Sequence, residues 1–394
     1  MTQAEVNIGV VGHVDHGKTT LTHSLTNKWT DTHSQEIKRG ISIKLGYADA
    51  TFVKTKDGYG SKEAGAVGEL LRKVSFLDAP GHETLMATVI AASSLMDGAL
   101  FVVSANEKCP QPQTVEHLMV LEAAGIKNVV IAQNKVDLVS KERAQTHFKE
   151  LTDFLKGSLI ETAPIIPTAG NLRITNSALI QALEETIPTP KRDLDSPLRM
   201  FVARSFDINK PGTDIGKIGG GVIGGSIVQG RLRRNDNVVL LPGAWIQGKG
   251  KEHYQEVHTV VNDIHAGTEK VDDAIPGGLV AASTEIDPSL AKSDSLVGNV
   301  LAAENSGAEV SYTLDLQMTP MPRLIEKFPE NIIPNEPLVL GVGTATTVGA
   351  AVPGKKGRVR LDLKKPVFVN KNQKIAVLRR AGVRWRLYAT AEVV

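Results

Sequence analysis

The chain has 394 residues, enough for two or three domains, with 41% hydrophobic residues and a net charge of +2. No apolar run reaches membrane-spanning length, and Cys109 is the lone cysteine, which excludes a disulfide framework and a cysteine-built zinc knuckle. The start, "MTQAEVNIGVVG", has no basic flank or small-residue cleavage site and leads into a strand-like run, so no signal peptide and a cytoplasmic location are expected.

Up to about residue 190, apolar runs alternate with helix-patterned segments. "VNIGVVG", "KVSFLDA", "GALFVVSA", "NVVIAQNK" and "APIIPTA" read as buried strands, separated by helical stretches such as "KTTLTHSL", "HETLMATVIAASSLM" and "TVEHLMVLEAAG". The alternation predicts an α/β domain with a mostly parallel sheet and helices on both faces. "IPTPKRDLDSP" (187–197) reads as a linker. Beyond it come short β-rich runs punctuated by Gly and Pro, which predict one or two β-barrels. The expected boundaries are 1–195, 196–305 and 306–394. "GKIGGGVIGGS" (216–226) leads into a strand, so its glycines read as bulges or barrel corners and not as a phosphate site.

The first motif, "VVGHVDHGKTTL" (10–21), offers His13, Asp15 and His16 as metal ligands or Gly12, Gly17, Lys18 and Thr19 as a phosphate loop. Its position between a strand and a helix favours the loop. There, backbone N–H groups and the helix dipole face phosphate, Lys18 adds charge, and the Thr19 hydroxyl can reach Mg2+. "NKVD" (Asn134, Lys135, Asp137) then selects the base. The Asp137 carboxylate can accept from guanine N1–H and the 2-amino group, a pairing that adenine cannot supply; sites of this kind reject analogues by roughly 10⁴-fold. Lys135 would lie along the base, and Asn134 would tie this loop to the phosphate loop. In "DAPG" (78–81), Asp78 would hold Mg2+ through water and the Gly81 N–H would sense a γ-phosphate. His82 follows, as a water-positioning side chain or a plain surface histidine. "RGISIKLGYADA" (39–50) would be the second switch, with Ser42 reaching Mg2+. "TAG" (Thr168, Ala169, Gly170) would present a backbone N–H to guanine O6.

With these elements placed, the chain resembles translational GTPases, and more narrowly the gamma-subunit family of archaeal and eukaryotic translation initiation factor 2. "KRGISIKLGYADA", "DAPGHETLMATVIAASSLMDGALFVVSANEKCPQPQTVEH", "RSFDINKPGT", "GGVIGGSIVQG", "PGGLVA" and "DPSLAKSD" carry the likeness. It implies a GTP-binding domain followed by two barrels, and a slow GTPase that carries initiator methionyl-tRNA to the small ribosomal subunit. It implies further a heterotrimer, with the alpha subunit on the first barrel and the beta subunit on the GTP domain. Asp15, His16, Gly17, Lys18, Thr19 and Thr20 would then meet GTP or GDP and Mg2+. Asp15 and the Gly40 carbonyl would help hold a second Mg2+. Tyr47 and "PGGLVA" (276–281), through Gly278, Val280 and Ala281, would border the pocket for the methionylated tRNA end.

Departures from the family pattern are visible. Ser42 stands for the usual threonine and should loosen that switch, and "TAG" stands for S-A-L/K. "KTKDGYGSKEAGAVGE" (54–69) replaces the four-cysteine zinc knuckle, so no zinc is predicted. Two rival readings remain. An elongation-type or selenocysteine-specific tRNA carrier should differ after switch I or carry a further C-terminal domain. A regulatory GTPase subunit of a sulfate-activating enzyme should lack tRNA affinity. Residues 355–394 hold 12 Lys/Arg against Asp362 and Glu392, while the rest has 33 basic and 41 acidic residues. A basic end on an acidic body suggests a polyanionic partner there.

Overall fold

The computed structural model describes residues 3–30, 45–247, 252–370 and 373–394. The first sheet contains β1 (Val6–Val11), β2 (Gly46–Thr55), β3 (Gly58–Ser61), β4 (Glu69–Asp78), β5 (Gly98–Ser104), β6 (Val129–Asn134) and β7 (Ile165–Pro167), in the order β3-β2-β4-β1-β5-β6-β7. The β4-β1-β5-β6-β7 block is parallel. Every residue of β1, β5 and β6 is buried, because helices cover both faces; this is why those strands read as continuous apolar runs. α1 (Lys18–Thr26) and α5 (Asn176–Thr186) pack on one face through Leu21, Leu25, Leu179 and Leu183. On the other lie α2 (Met86–Ser93), α3 (Pro112–Ala124) and α4 (Lys141–Leu155), through Met86, Val89, Leu118 and Leu151.

Two features of this domain differ from the sequence reading. The helix expected over 82–96 is cut to Met86–Ser93, because His82 caps a separate tight turn over Glu83–Leu85. The other is an antiparallel β2–β3 hairpin that extends the sheet edge into the 54–69 segment. In that hairpin the Glu63 carboxylate accepts from the Thr51 N–H at 2.7 Å, the Thr51 hydroxyl at 2.8 Å and the Ser61 hydroxyl at 3.0 Å. A carboxylate with three donors organises a turn here.

The proposed linker is tied down along its length. Arg72 donates to the Ile187 carbonyl, Thr189 and Glu184, and Arg192 grips Asp97 with both terminal nitrogens.

The second sheet contains β8 (Arg199–Phe206), β9 (Val222–Gln229), β10 (Leu232–Arg233), β11 (Asn237–Gln247), β12 (Glu252–Ala266), β13 (Glu269–Val271), β14 (Asp273–Ala274), β15 (Val280–Thr284) and β16 (Val300–Ala303). Six of these close a barrel, β11-β16-β8-β9-β15-β12, through a β11–β12 pairing. The glycine-rich stretch behaves as a barrel strand: a Cβ on Gly225 would lie 1.9 Å from the Phe201 carbonyl oxygen, beside a bulge in β8 between Val202 and Arg204. The last barrel is also six-stranded, from β17 (Val310–Pro320), β18 (Pro337–Val342), β19 (Ala345–Pro353), β20 (Arg358–Phe368), β21 (Ile375–Ala381) and β22 (Arg384–Val393). Its Met321, Val339, Leu378 and Leu387 join the α2–α3 side of the first domain in one continuous core. Among the described residues, no helix is long and apolar enough to cross a membrane.

Candidate nucleotide-binding site

The chain leaves β1 through Gly12 (φ 141°) and enters α1 through Gly17 (φ 87°). A Cβ at Gly12 would lie 2.2 Å from the Val102 carbonyl oxygen, and one at Gly17 2.5 Å from Asn134 Nδ2. Both the φ values and the close approaches therefore demand glycine. No side chain caps α1 and its first turn holds no acid, so no negative charge in that turn opposes an anion at the positive end of the helix dipole. Lys18 is buried and its Nζ donates to the His13 carbonyl at 2.8 Å, inside the loop. Asp15 takes φ 60°, and Thr20 follows Thr19 into α1.

β4 delivers Asp78 to the same place. The Thr19 hydroxyl donates to its Oδ2 at 2.7 Å, and the Thr30 hydroxyl donates to the same oxygen at 2.6 Å. Thr30 was not singled out from sequence; it is a lone hydroxyl in no motif. Closely placed hydroxyl and carboxylate oxygens suit a hard cation such as Mg2+. Ser42 and Gly40 lie outside the described residues. A Cβ on Gly81 would sit 2.5 Å from Lys18 Nζ and 2.8 Å from the Val14 nitrogen, so "DAPG" lies against the phosphate loop. His82 is half-buried, and its Nδ1 lies 2.9 Å from the Thr84 hydroxyl and accepts from the Thr84 N–H.

The base end is assembled around Asn134. Its Nδ2 donates to the His16 carbonyl at 2.9 Å, and its Oδ1 accepts from the Thr168 hydroxyl and the Gly170 N–H, both at 3.2 Å. One buried amide thus joins the phosphate loop, the "NKVD" turn and the "TAG" segment. Lys135 is half-buried with φ 61°, Asp137 is exposed, and Ala169 is buried.

Behind the loop lies a group that the motifs did not foretell. His16 is fully buried, with Nδ1 3.2 Å from the Val102 carbonyl oxygen and Nε2 3.5 Å from Glu107 Oε2. Burial above all pushes its imidazole down to about 3. His13 is also lowered, chiefly by burial, and its ring centroid is 4.9 Å from that of His16. His117 on α3 is wholly buried and driven well below the usual range by burial, then by the Lys18 charge and these two rings. Asp15 is not part of this cluster; the third ligand-capable group is Glu107, from the segment after β5.

The remaining expected residues lie apart from this cluster. Tyr47 is half-buried, with Lys28 Nζ 4.7 Å from its ring centroid. Gly278 (φ 66°) is buried against Ala4, and its carbonyl accepts from Asn7 Nδ2 at 3.4 Å. Val280 belongs to the barrel core and Ala281 is half-buried. Sequence reasoning also missed a junction beside His82. There Glu83 Oε2 accepts from Arg384 at 3.0 Å and Arg386 at 2.8 Å, and Arg386 also donates to Glu116 of α3 at 2.8 Å. The signal was present as two arginines two positions apart on one strand, which must share a face.

Comparison with known proteins identifies the family. Residues 3–189 match the family described as the elongation factor Tu GTP binding domain, and residues 295–393 match "Initiation factor eIF2 gamma, C terminal". Translation initiation factor 2 subunit gamma of Methanothermobacter thermautotrophicus is 49% identical, over 98% of this chain and 98% of that protein. The protein of the same name from Archaeoglobus fulgidus is 49% identical over 97% of this chain and 93% of its own length. Among solved structures, a bacterial selenocysteine-specific elongation factor superposes with TM-score 0.77 at 26% identity, covering all of this chain and 58% of that one. Elongation factor SelB of Methanococcus maripaludis, crystallised with the GTP analogue GPPNHP, gives TM-score 0.75 at 21% identity and covers 79% of its chain; this likeness speaks to the fold alone. The chain belongs to the gamma-subunit family of translation initiation factor 2 and is a translational GTPase.

Proposed function

We propose that this chain carries initiator methionyl-tRNA to the small ribosomal subunit while GTP is bound, as the core of a cytoplasmic heterotrimer with alpha and beta subunits. The observation that carries the nucleotide half of this reading is the Asn134 amide, which holds the phosphate loop and both base-side segments in one unit. Asp15, His16, Gly17, Lys18, Thr19, Thr20 and Gly81 would surround the phosphates, and Asn134, Lys135, Asp137, Thr168, Ala169 and Gly170 the base. To reach a phosphate, Lys18 would exchange the His13 carbonyl for the ligand. Thr19, Asp78 and Ser42 would hold Mg2+, with Asp15 and the Gly40 carbonyl at a second ion; Mg2+ would neutralise charge on the β- and γ-phosphates. His82 would orient the attacking water through Nε2, since Nδ1 is engaged by Thr84.

Tyr47 and the Gly278–Ala281 stretch would border the methionylated tRNA end. Because Gly278 is covered by Ala4, that role requires the joint between β1 and the first barrel to open. Functional units would run 1–195, 196–305 and 306–394, with the alpha subunit on the second and the beta subunit on the first. Filter binding with charged tRNAs tests the reading, with and without alpha subunit. Methionylated initiator tRNA should bind in the GTP form more tightly than in the GDP form, and binding should fall steeply with salt as counterions are released. Preference for an elongator tRNA, or no tRNA binding, would overturn it.

A further inference from the structure

His16 meets two different environments with its two ring nitrogens. Nδ1 faces the Val102 carbonyl, which can only accept, so the ring proton belongs on Nδ1 and Nε2 presents a lone pair. That Nε2 has no hydrogen-bond partner, is fully buried, and points at Glu107 Oε2 3.5 Å away. Two acceptors held face to face call for a positive centre between them. Their spacing is also close to that of two ligands on one ion bonded at roughly 2.0–2.1 Å. His13 Nδ1 is likewise buried without a hydrogen-bond partner, and one ligand-capable atom each from His13, His16 and Glu107 falls within 4.8 Å of the others.

We propose that His13, His16 and Glu107 form a site for a divalent ion of the zinc class, separate from the oxygen-lined position at Thr19 and Asp78. Two imidazoles and a carboxylate match Zn2+, Co2+ or Ni2+, whereas Mg2+ favours an all-oxygen shell. The Val102 carbonyl supplies the outer hydrogen bond that fixes a ligating imidazole's tautomer. Half-buried His13 and Glu107 can rotate to close the last ångström, while fully buried His16 is the fixed anchor. The Lys18 ammonium opposes a cation here, and the Asp15 and Glu107 carboxylates favour one. Since the His13 carbonyl also receives Lys18, an ion on the His13 ring would brace the start of the phosphate loop from behind.

The test is titration of the intact chain with Co2+, read by visible absorption, and with Zn2+, read by calorimetry, both nucleotide-free and loaded with GDP and Mg2+. One equivalent of Co2+ should produce the bands of a low-symmetry, four-coordinate ion, displaced by Zn2+. Glu107→Gln and His13→Gln should each weaken binding by about tenfold or more. GDP binding by the Glu107→Gln protein serves as the check on folding. Absence of the bands in both nucleotide states, or Co2+ and Zn2+ affinities unchanged in both variants, would overturn the proposal.

Discussion

Asp137 stands exposed in the turn that follows β6, a strand buried at every position. The proposed base selection would therefore rest on a group that is exposed before the ligand binds. Asp137→Asn should lose the charged acceptor, at about 1.5–3 kcal/mol for a hydrogen bond to a charged group. Calorimetry should accordingly show GDP binding weakened by tens of fold, with inosine and guanosine diphosphates brought closer together; an unchanged GDP affinity would remove Asp137 from the base site. His82 calls for a different measurement. His82→Ala should lower partner-stimulated GTP hydrolysis by about 10²-fold, the cost of a misplaced reacting group, while leaving GTP affinity unaltered. Equal stimulated rates in the two proteins would refute the assignment.

At the scale of elements, the junction of β22 with the segment after β4 matters most. The Arg386 side chain is 6% exposed and that of Glu116 is 2% exposed, so neither has water to fall back on. Burial raises the Glu116 carboxyl above its ordinary range, and the Arg386 guanidinium acts against that rise. Arg386→Met should destabilise the protein by about 3–5 kcal/mol, because two acids would be left beside each other without their shared cation. Hydrogen exchange should also quicken in residues 82–85, and protection there equal to that of the parent protein would sink the idea that β22 steadies this segment. These contacts mark where the sequence was legible and where it was not. Gly12, Gly17, Gly81 and Asn134 could be read in advance because local backbone geometry dictates them within short motifs. Thr30, Glu107, His117 and the Glu83–Arg386 pair could not, since each owes its place to long-range packing that leaves no local spacing. The β2–β3 hairpin was hidden for a related reason: its strands fall in stretches whose family likeness pointed to a switch and a knuckle.

For the whole molecule, the parallel sheet and a β-barrel region after it were legible from texture, because period and composition change sharply near residue 190, while the number of barrels came from the family likeness. The basic surplus of the last 40 residues was less legible. Arg379 and Arg386 are buried in ion pairs with Glu336, Glu83 and Glu116, while Lys355, Lys356, Arg358, Arg360, Lys364, Lys374, Arg380 and Arg384 remain exposed. Only the exposed members can answer to an external polyanion. Global stability carries a pH signature as well. His147 is buried on α4, its Nδ1 lies 3.1 Å from Gln133 Nε2, and burial chiefly lowers it to about 4. Below pH 6.5 the unfolded chain binds a proton there that the folded chain refuses, so stability falls as pH drops toward 4, by up to about 1.4 kcal/mol per pH unit. Urea unfolding midpoints should show a slope to which buried His16 and His117 contribute in the same direction, and His147→Gln should reduce it; parallel slopes would exclude His147 as a source.

Arg386 follows Glu83 by 303 positions, with both barrels' sequences in between. On a ribosome, the nucleotide domain therefore emerges complete well before the guanidinium that pairs with Glu83. Newborn copies would pass through an interval in which Glu83 lacks that partner, and only closure of the distal cylinder, in correct register, would end it.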